Sequence, residues 1–148
     1  MKPSVLVTLA CLLAAQSGGV RAMEVSYSDV FSHYADSIAR ITTCGSWEKN
    51  EVSGRYRVIE LYLFAQTFLY VDKVTANPGQ TEFIVVKGFA IRELDDDHID
   101  VELSGLRCVS TKDGIRISAR ADSGHDSFVK KIRIDVRASD DSYSVHGL

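Results

Sequence analysis

Residues 112–137 read KDGIRISARADSGHDSFVKKIRIDVR. In the first half, after the turn-forming Lys112-Asp113-Gly114, Ile115, Ile117 and Ala119 alternate with Arg116, Ser118 and Arg120. Ser123-Gly124-His125-Asp126 supplies a second turn. Beyond it Ile132, Ile134 and Val136 alternate with Lys131, Arg133, Asp135 and Arg137. Alternation with period two is the signature of a strand that buries one face and wets the other. Two such runs joined by a short turn predict an antiparallel hairpin, because parallel neighbours need a crossover of a dozen residues or more.

The same period extends on both sides. Ile99, Val101 and Leu103 alternate with Asp100 and Glu102, after a turn at Asp95-Asp96-Asp97. Upstream, Tyr56 to Leu63 places Ile59, Leu61 and Leu63 on one face and Tyr56, Val58, Glu60 and Tyr62 on the other. Thr67 to Val74 returns through Ala65-Gln66, Asn77-Pro78-Gly79 turns again, and Glu82 to Leu94 is a further run with Gly88 as a candidate bulge. Ser139-Asp140-Asp141 leads to a last short strand around Tyr143 to Val145. About seven strands with no helix between them predict a mainly β chain: one antiparallel meander, closed as a β-barrel or folded as a β-sandwich to hide its edges. Ahead of the strands, SDVFSHYADSIARI at 28–41 sets Val30, Phe31, Tyr34, Ile38 and Ile41 on one helical face, with Ser28 as N-cap and Asp29 in the first turn. A short N-terminal helix is expected there; strand from Ser37 onward is the competing reading.

Residues 1–22 are not expected to belong to the fold. Lys2 is followed by the apolar run Val5 to Ala15, then Gln16-Ser17-Gly18-Gly19 and Val20-Arg21-Ala22. That is the layout of a secretory signal peptide cleaved before Met23, leaving one exported β domain at 23–148 in the periplasm or outside the cell. No later apolar stretch is long enough to span a membrane as a helix. Cleavage removes Lys2 and Arg21, so 17 − 2 = 15 bases face 20 acids, a net charge of −5. That balance argues against a nucleic-acid binder.

Export decides how the cysteines are read. Cys11 leaves with the leader, and Cys44 and Cys108 are expected to pair as a disulfide. There is no Cys-x-x-Cys and no His-x-x-x-His, so no zinc site and no other cofactor is expected. A bulge at Gly105 would turn Leu106 and Cys108 inward, setting Cys108 opposite Ile117 and Leu106 opposite Ala119. Trp47, three residues after Cys44, is expected to cover the bridge.

The other reactive-looking groups read as non-catalytic. Asp95-Asp96-Asp97-His98 lacks the ligand spacing of a calcium loop and suits a solvated turn. His125-Asp126 with Ser123 or Ser127 puts the three residue types of a triad into one hairpin, which cannot aim them at a common substrate. Glu48, Glu51 and Glu60 near Trp47 show no spacing that selects a glycosidase pair.

The strongest signal is a basic face. Pairing Ile117 with Ile132 would set Arg116 opposite Arg133 and Ser118 opposite Lys131, with Arg107, Arg120 and Arg137 on the same outward side. Either Asp100 and Glu102 neutralise these groups in a surface ladder, or the face receives an anionic partner, since arginine forks match carboxylates and phosphates.

In layout the chain resembles the small exported bacterial lysozyme inhibitors, disulfide-bridged β-barrels that plug an enzyme cleft. Ser53-Gly54-Arg55-Tyr56 is similar to their inhibitory Ser-Gly loop. Those are four residues of 148, and no site residue is transferred. Immunity proteins that neutralise exported toxins share the outline. The expected function is a non-catalytic protein-binding module of inhibitor or immunity type; the alternatives are a structural or accessory protein of the cell envelope, and last an enzyme.

Overall fold

The computed structural model describes residues 25–79, 81–95, 100–124 and 127–148. The expected leader at 1–22, Asp96-Asp97-His98-Ile99 and His125-Asp126 lie outside the described residues. Two consecutive four-stranded antiparallel meanders form the domain. The first sheet holds β1 (Ile38–Lys49), β2 (Val52–Leu63), β3 (Gln66–Ala76) and β4 (Phe83–Ala90); the second holds β5 (Val101–Thr111), β6 (Gly114–Ser123), β7 (Phe128–Arg137) and β8 (Tyr143–His146). The strands do not close into a barrel. The sheets stack as a sandwich, with β1 against β5 and β6, and β3 against β5.

The sandwich interior is built from the alternating residues. Trp47, Tyr56, Val58, Leu69 and Val71 of the first sheet meet Val101, Leu103, Leu106, Ile115, Ile117, Ile132, Ile134 and Val136 of the second. Each aliphatic side chain fully withdrawn from water there contributes roughly 1.5–3 kcal/mol. The two sheets treat their outer faces differently. On the second, Arg116, Ser118, Arg120 and Asp122 remain in water. On the first, Ile59, Leu61, Phe68 and Tyr70 are buried beneath Val25 and Val30 of the N-terminal segment.

That cover includes helix α1 (Tyr27–His33). It is shorter than its sequence pattern predicts, and its N-cap is Ser26, not Ser28. Ser26 and Asp29 form a reciprocal capping box, which satisfies both ends of the first turn and so starts the helix earlier than expected. The chain then enters β1 at Ile38, so the strand reading of this stretch holds and there are eight strands. Gly88 is not the bulge. The register shift in β4 lies between the Lys73–Lys87 and Val74–Val85 pairs, and Gly88 instead admits the Tyr27 ring, which a Cβ there would overlap. Tyr27 in turn donates to Asp72 Oδ1 at 3.0 Å.

The predicted bulge at Gly105 is present, with φ +63 and a register shift between Ser104 and Arg107. It places Cys108 opposite Ile117, as expected, while Leu106 stays within the bulge and packs into the core. The Cys44–Cys108 disulfide joins β1 to β5, with the Cα atoms 5.9 Å apart. It fastens the sheets along one side of the sandwich. Next to it Gly45, at φ +59, lies so close to the second sheet that a Cβ would overlap the Ile115 side chain.

Elsewhere the sheets meet through charge. Asp141, in the turn before β8, accepts from Lys73 of β3, and Lys87 of β4 lies 3.3 Å from its other oxygen. Lys49 of β1 stands 3.9 Å away. Phe89 of β4 and Tyr143 of β8 stack with 5.7 Å between ring centroids.

Candidate functional site: a basic face on the second sheet

The outer face of β5–β8 carries all six predicted binding residues, but in a different register. Ile117 pairs with Ile134, not with Ile132, so Arg116 faces Asp135 and Ser118 faces Arg133. Four residues, 124–127, separate the paired Ser123 and Phe128, and Ser127 has φ +52. The expected Ile117–Ile132 pairing needs a two-residue turn at Gly124-His125, which would slide β7 by two positions from where it lies.

The corrected register removes the Arg116–Arg133 opposition and sets Arg120 opposite Lys131 instead. Arg116 Nε donates to Asp135 Oδ1 at 2.6 Å, and Arg133 Nε lies 2.9 Å from Oδ2 of the same carboxylate. His146 Nε2 is 3.7 Å from that oxygen. Burial alone would push the Asp135 carboxyl up; the Arg116 hydrogen bond and the charges of Arg116, Arg133 and His146 outweigh it and hold the group below the ordinary carboxylate value. Arg137 pairs with Asp140 at 3.3 Å. The predicted counter-charges, Asp100 and Glu102, make none of these contacts; Asp135 and Asp140 do.

Neutralisation stops along the strand axis. Cross-strand rows run Ser104–Arg120–Lys131 and Arg107–Ser118–Arg133. Among the described residues, no carboxylate comes within ion-pair distance of Arg107 or Lys131, and Arg120 has only Asp122, at 3.8 Å, with both side chains more than half exposed. The rows frame a shallow depression of about 510 Å³ at the Gly105 bulge, lined by Ser104, Arg107, Ser118, Arg120 and Lys131 and by no acid. The bulge creates it. Gly105 and Leu106 of β5 stand against the single Ala119 of β6, and the glycine leaves open space between Ser104 and Arg107.

Of the remaining candidates, Glu48, Glu51, Glu60 and Trp47 lie among the described residues. Glu60 is held by Arg40 through two hydrogen bonds, while Glu48 and Glu51 are exposed near the β1–β2 hairpin. Trp47 is buried, and its Nε1 donates to Arg55 O at 3.1 Å. Among the described residues no group of three His, Cys, Asp or Glu side chains is placed to hold a metal ion. Ser53-Gly54-Arg55-Tyr56 is not a protruding loop. It lies in β2, with Gly54 opposite Trp47 and Arg55 opposite Val74.

Two buried ionic groups are not foreseen from the sequence. Asp72 is fully buried, held by Arg57 and Tyr27; burial raises its carboxyl above the ordinary value despite those partners. Lys73 is 2% exposed, with its ammonium 5.1 Å over the Trp47 ring and donating to Ala138 O at 3.1 Å as well as to Asp141. The signal for both is an acid–base pair in the middle of the run Phe68 to Val74, where a strand wetted on neither side must pair its charges.

Comparison with family models, curated proteins and solved structures gives no match. Fold and site together define a helix-capped β-sandwich whose second sheet offers an uncovered, partly unneutralised basic face.

Proposed function

We propose that this chain is a small exported, non-catalytic module that binds an acidic protein surface through the outer face of β5–β8, as an inhibitor or immunity-type protein does. One observation carries the reading. Six cations (Arg107, Arg116, Arg120, Lys131, Arg133, Arg137) share the face with Glu102, Asp122, Asp135 and Asp140, a balance of 6 − 4 = +2 on a chain of net charge −3. Positive charge concentrated against the overall sign, on an open sheet face with a shallow depression, suits steering and docking of an acidic partner more than turnover of a small molecule. The Cys44–Cys108 bridge supports export to an oxidising compartment, periplasmic or extracellular. Nucleic acid is disfavoured by the net charge.

An accessory role in an envelope assembly is the second reading. It is favoured by β4, an edge strand whose Phe83, Ile84, Val85 and Val86 are all exposed.

The test is affinity capture from exported and envelope fractions with the wild-type domain and with Arg107→Gln/Lys131→Gln/Arg133→Gln. One stoichiometric acidic protein, eluted by salt and lost with the triple variant, supports the binding module. Capture indifferent to the variant, or several assembly partners retained through β4, rejects it.

A further inference from the structure

We infer that the depression at the Gly105 bulge is a binding site for a phosphate group. The site lies within the basic face and rests on reading that face as a contact surface. Three features single it out from the rest of the face. Arg107 and Lys131 have no carboxylate partner among the described residues, and Arg120 has only the loose contact to Asp122, whereas Arg116, Arg133 and Arg137 are engaged by Asp135 and Asp140. The three underused cations come from three adjacent strands and line one concavity, while the neighbouring ion pairs lie outside it. Ser104 and Ser118 add hydroxyl donors between them, each directly across from an arginine: Ser104 opposes Arg120 and Ser118 opposes Arg107.

The donor set matches a tetrahedral dianion. A phosphate monoester carries about −1.5 to −2 charge at pH 7 and three terminal acceptor oxygens. Two guanidinium forks, one ammonium and two hydroxyls can address those oxygens from three sides. A single carboxylate, with one charge and two oxygens, would leave part of the set unused. The acids nearest the site, Glu102 and Asp122, form the next paired row along the strands and do not line the depression. The ligand is therefore a phosphate group, free or carried as a monoester on a larger molecule.

The test is titration of the isotope-labelled domain, with the disulfide intact, by inorganic phosphate and by glycerol 3-phosphate. Ionic strength is held constant with chloride and backbone amides are followed by NMR. Saturable shifts centred on Ser104–Arg107, Ser118–Arg120 and Lys131 are expected, and Arg107→Gln/Lys131→Gln should weaken binding at least tenfold. Arg137→Gln, the same kind of charge change outside the depression, should leave it within twofold. Tighter binding of the ester assigns a carried phosphate, and equal binding assigns the free ion. Equal losses from Arg137→Gln and the double variant, or shifts reproduced by chloride, would reduce the effect to general electrostatics and overturn the site. A captured acidic partner with a silent phosphate titration retires this site and leaves the docking face standing; phosphate binding without any captured protein does the reverse.

Discussion

Arg116 Nε lies 2.6 Å from Asp135 Oδ1, and Arg133 approaches the other oxygen of the same carboxylate. One acid on β7 thus answers two arginines of the exposed face. Asp135→Asn should cost up to roughly 1 kcal/mol at pH 7, as exposed pairs do. The Asp135 carboxyl is held below its ordinary value of 3.8, so its stabilisation is present above that value and is lost as pH falls through the lower folded value. The gap between wild type and variant in urea unfolding should therefore narrow below about pH 3.8. The same substitution frees two arginines and should tighten binding of an acidic partner.

The buried clamp behaves differently. Asp141→Ala strands the Lys73 ammonium beside the Trp47 and Tyr56 rings, with only Ala138 O left to accept from it. Removing one partner of a buried pair costs about 3–5 kcal/mol. Lys73→Met should cost less, because Asp141 keeps Lys87 at 3.3 Å. Urea denaturation of both variants checks the order; a smaller loss for Asp141→Ala would show that Lys73 is not held by this carboxylate.

The second sheet is legible in the sequence because its strands each have one wet face. Ile115, Ile117 and Ala119 point in and Arg116, Ser118 and Arg120 point out, and that contrast is what period two records. The first sheet hides the contrast. Its outer face is covered by the N-terminal segment, so β3 is buried on both sides. Asp72 and Lys73 look like polar interruptions until their partners, 15 and 68 residues away, are brought up by the fold. β1 is mostly exposed, and Ile38 and Ile41 fit a helical spacing by coincidence. The identities of the six basic residues can be read, but which of them are neutralised depends on a two-residue slip at one turn.

Two tyrosines separate hydrogen bonding from burial. Tyr70 donates to Val25 O at 2.8 Å, whereas the buried Tyr56 hydroxyl has no partner among the described residues. Tyr70→Phe should lose about 1 kcal/mol and Tyr56→Phe should lose nothing or gain slightly. Burial, with Asp141 adding to it, pushes the Tyr56 phenol up from 10.0 to about 12. The stability linked to this group is therefore complete below pH 10 and is lost as pH rises through 12, which ultraviolet titration of phenolate can follow.

Gly54 tests the strand placement of the Ser-Gly pair. A Cβ at this position would overlap Val74 O, a backbone atom that cannot swing aside. Gly54→Ala should cost more than about 3 kcal/mol or prevent folding, an overpacking effect at the extreme of its range. Ser53→Ala, which keeps the backbone oxygen that accepts from Thr75 Oγ1 at 2.7 Å, should be nearly silent. Equal, small effects in thermal melts would contradict the strand placement of this stretch.

The bridge between β1 and β5 spans a sequence separation of 64, a constraint on the unfolded chain of roughly 4 kcal/mol in entropy models. Cys44→Ser/Cys108→Ser should lower stability by about 2–5 kcal/mol. The native protein, isolated without reductant, should weigh two protons less than its reduced form and resist alkylation; two alkylatable thiols in it would contradict both the bridge and the proposed oxidising compartment.

Docking through the outer face of β5–β8 is tested most directly by one measurement. It is the affinity of the captured partner for the wild-type domain and for Arg107→Gln/Lys131→Gln/Arg133→Gln, with melting temperatures recorded beside it. At least a hundredfold weaker binding is expected, with a melting temperature changed by no more than a few degrees. Unchanged affinity in a variant that folds normally would contradict a docking role for this face.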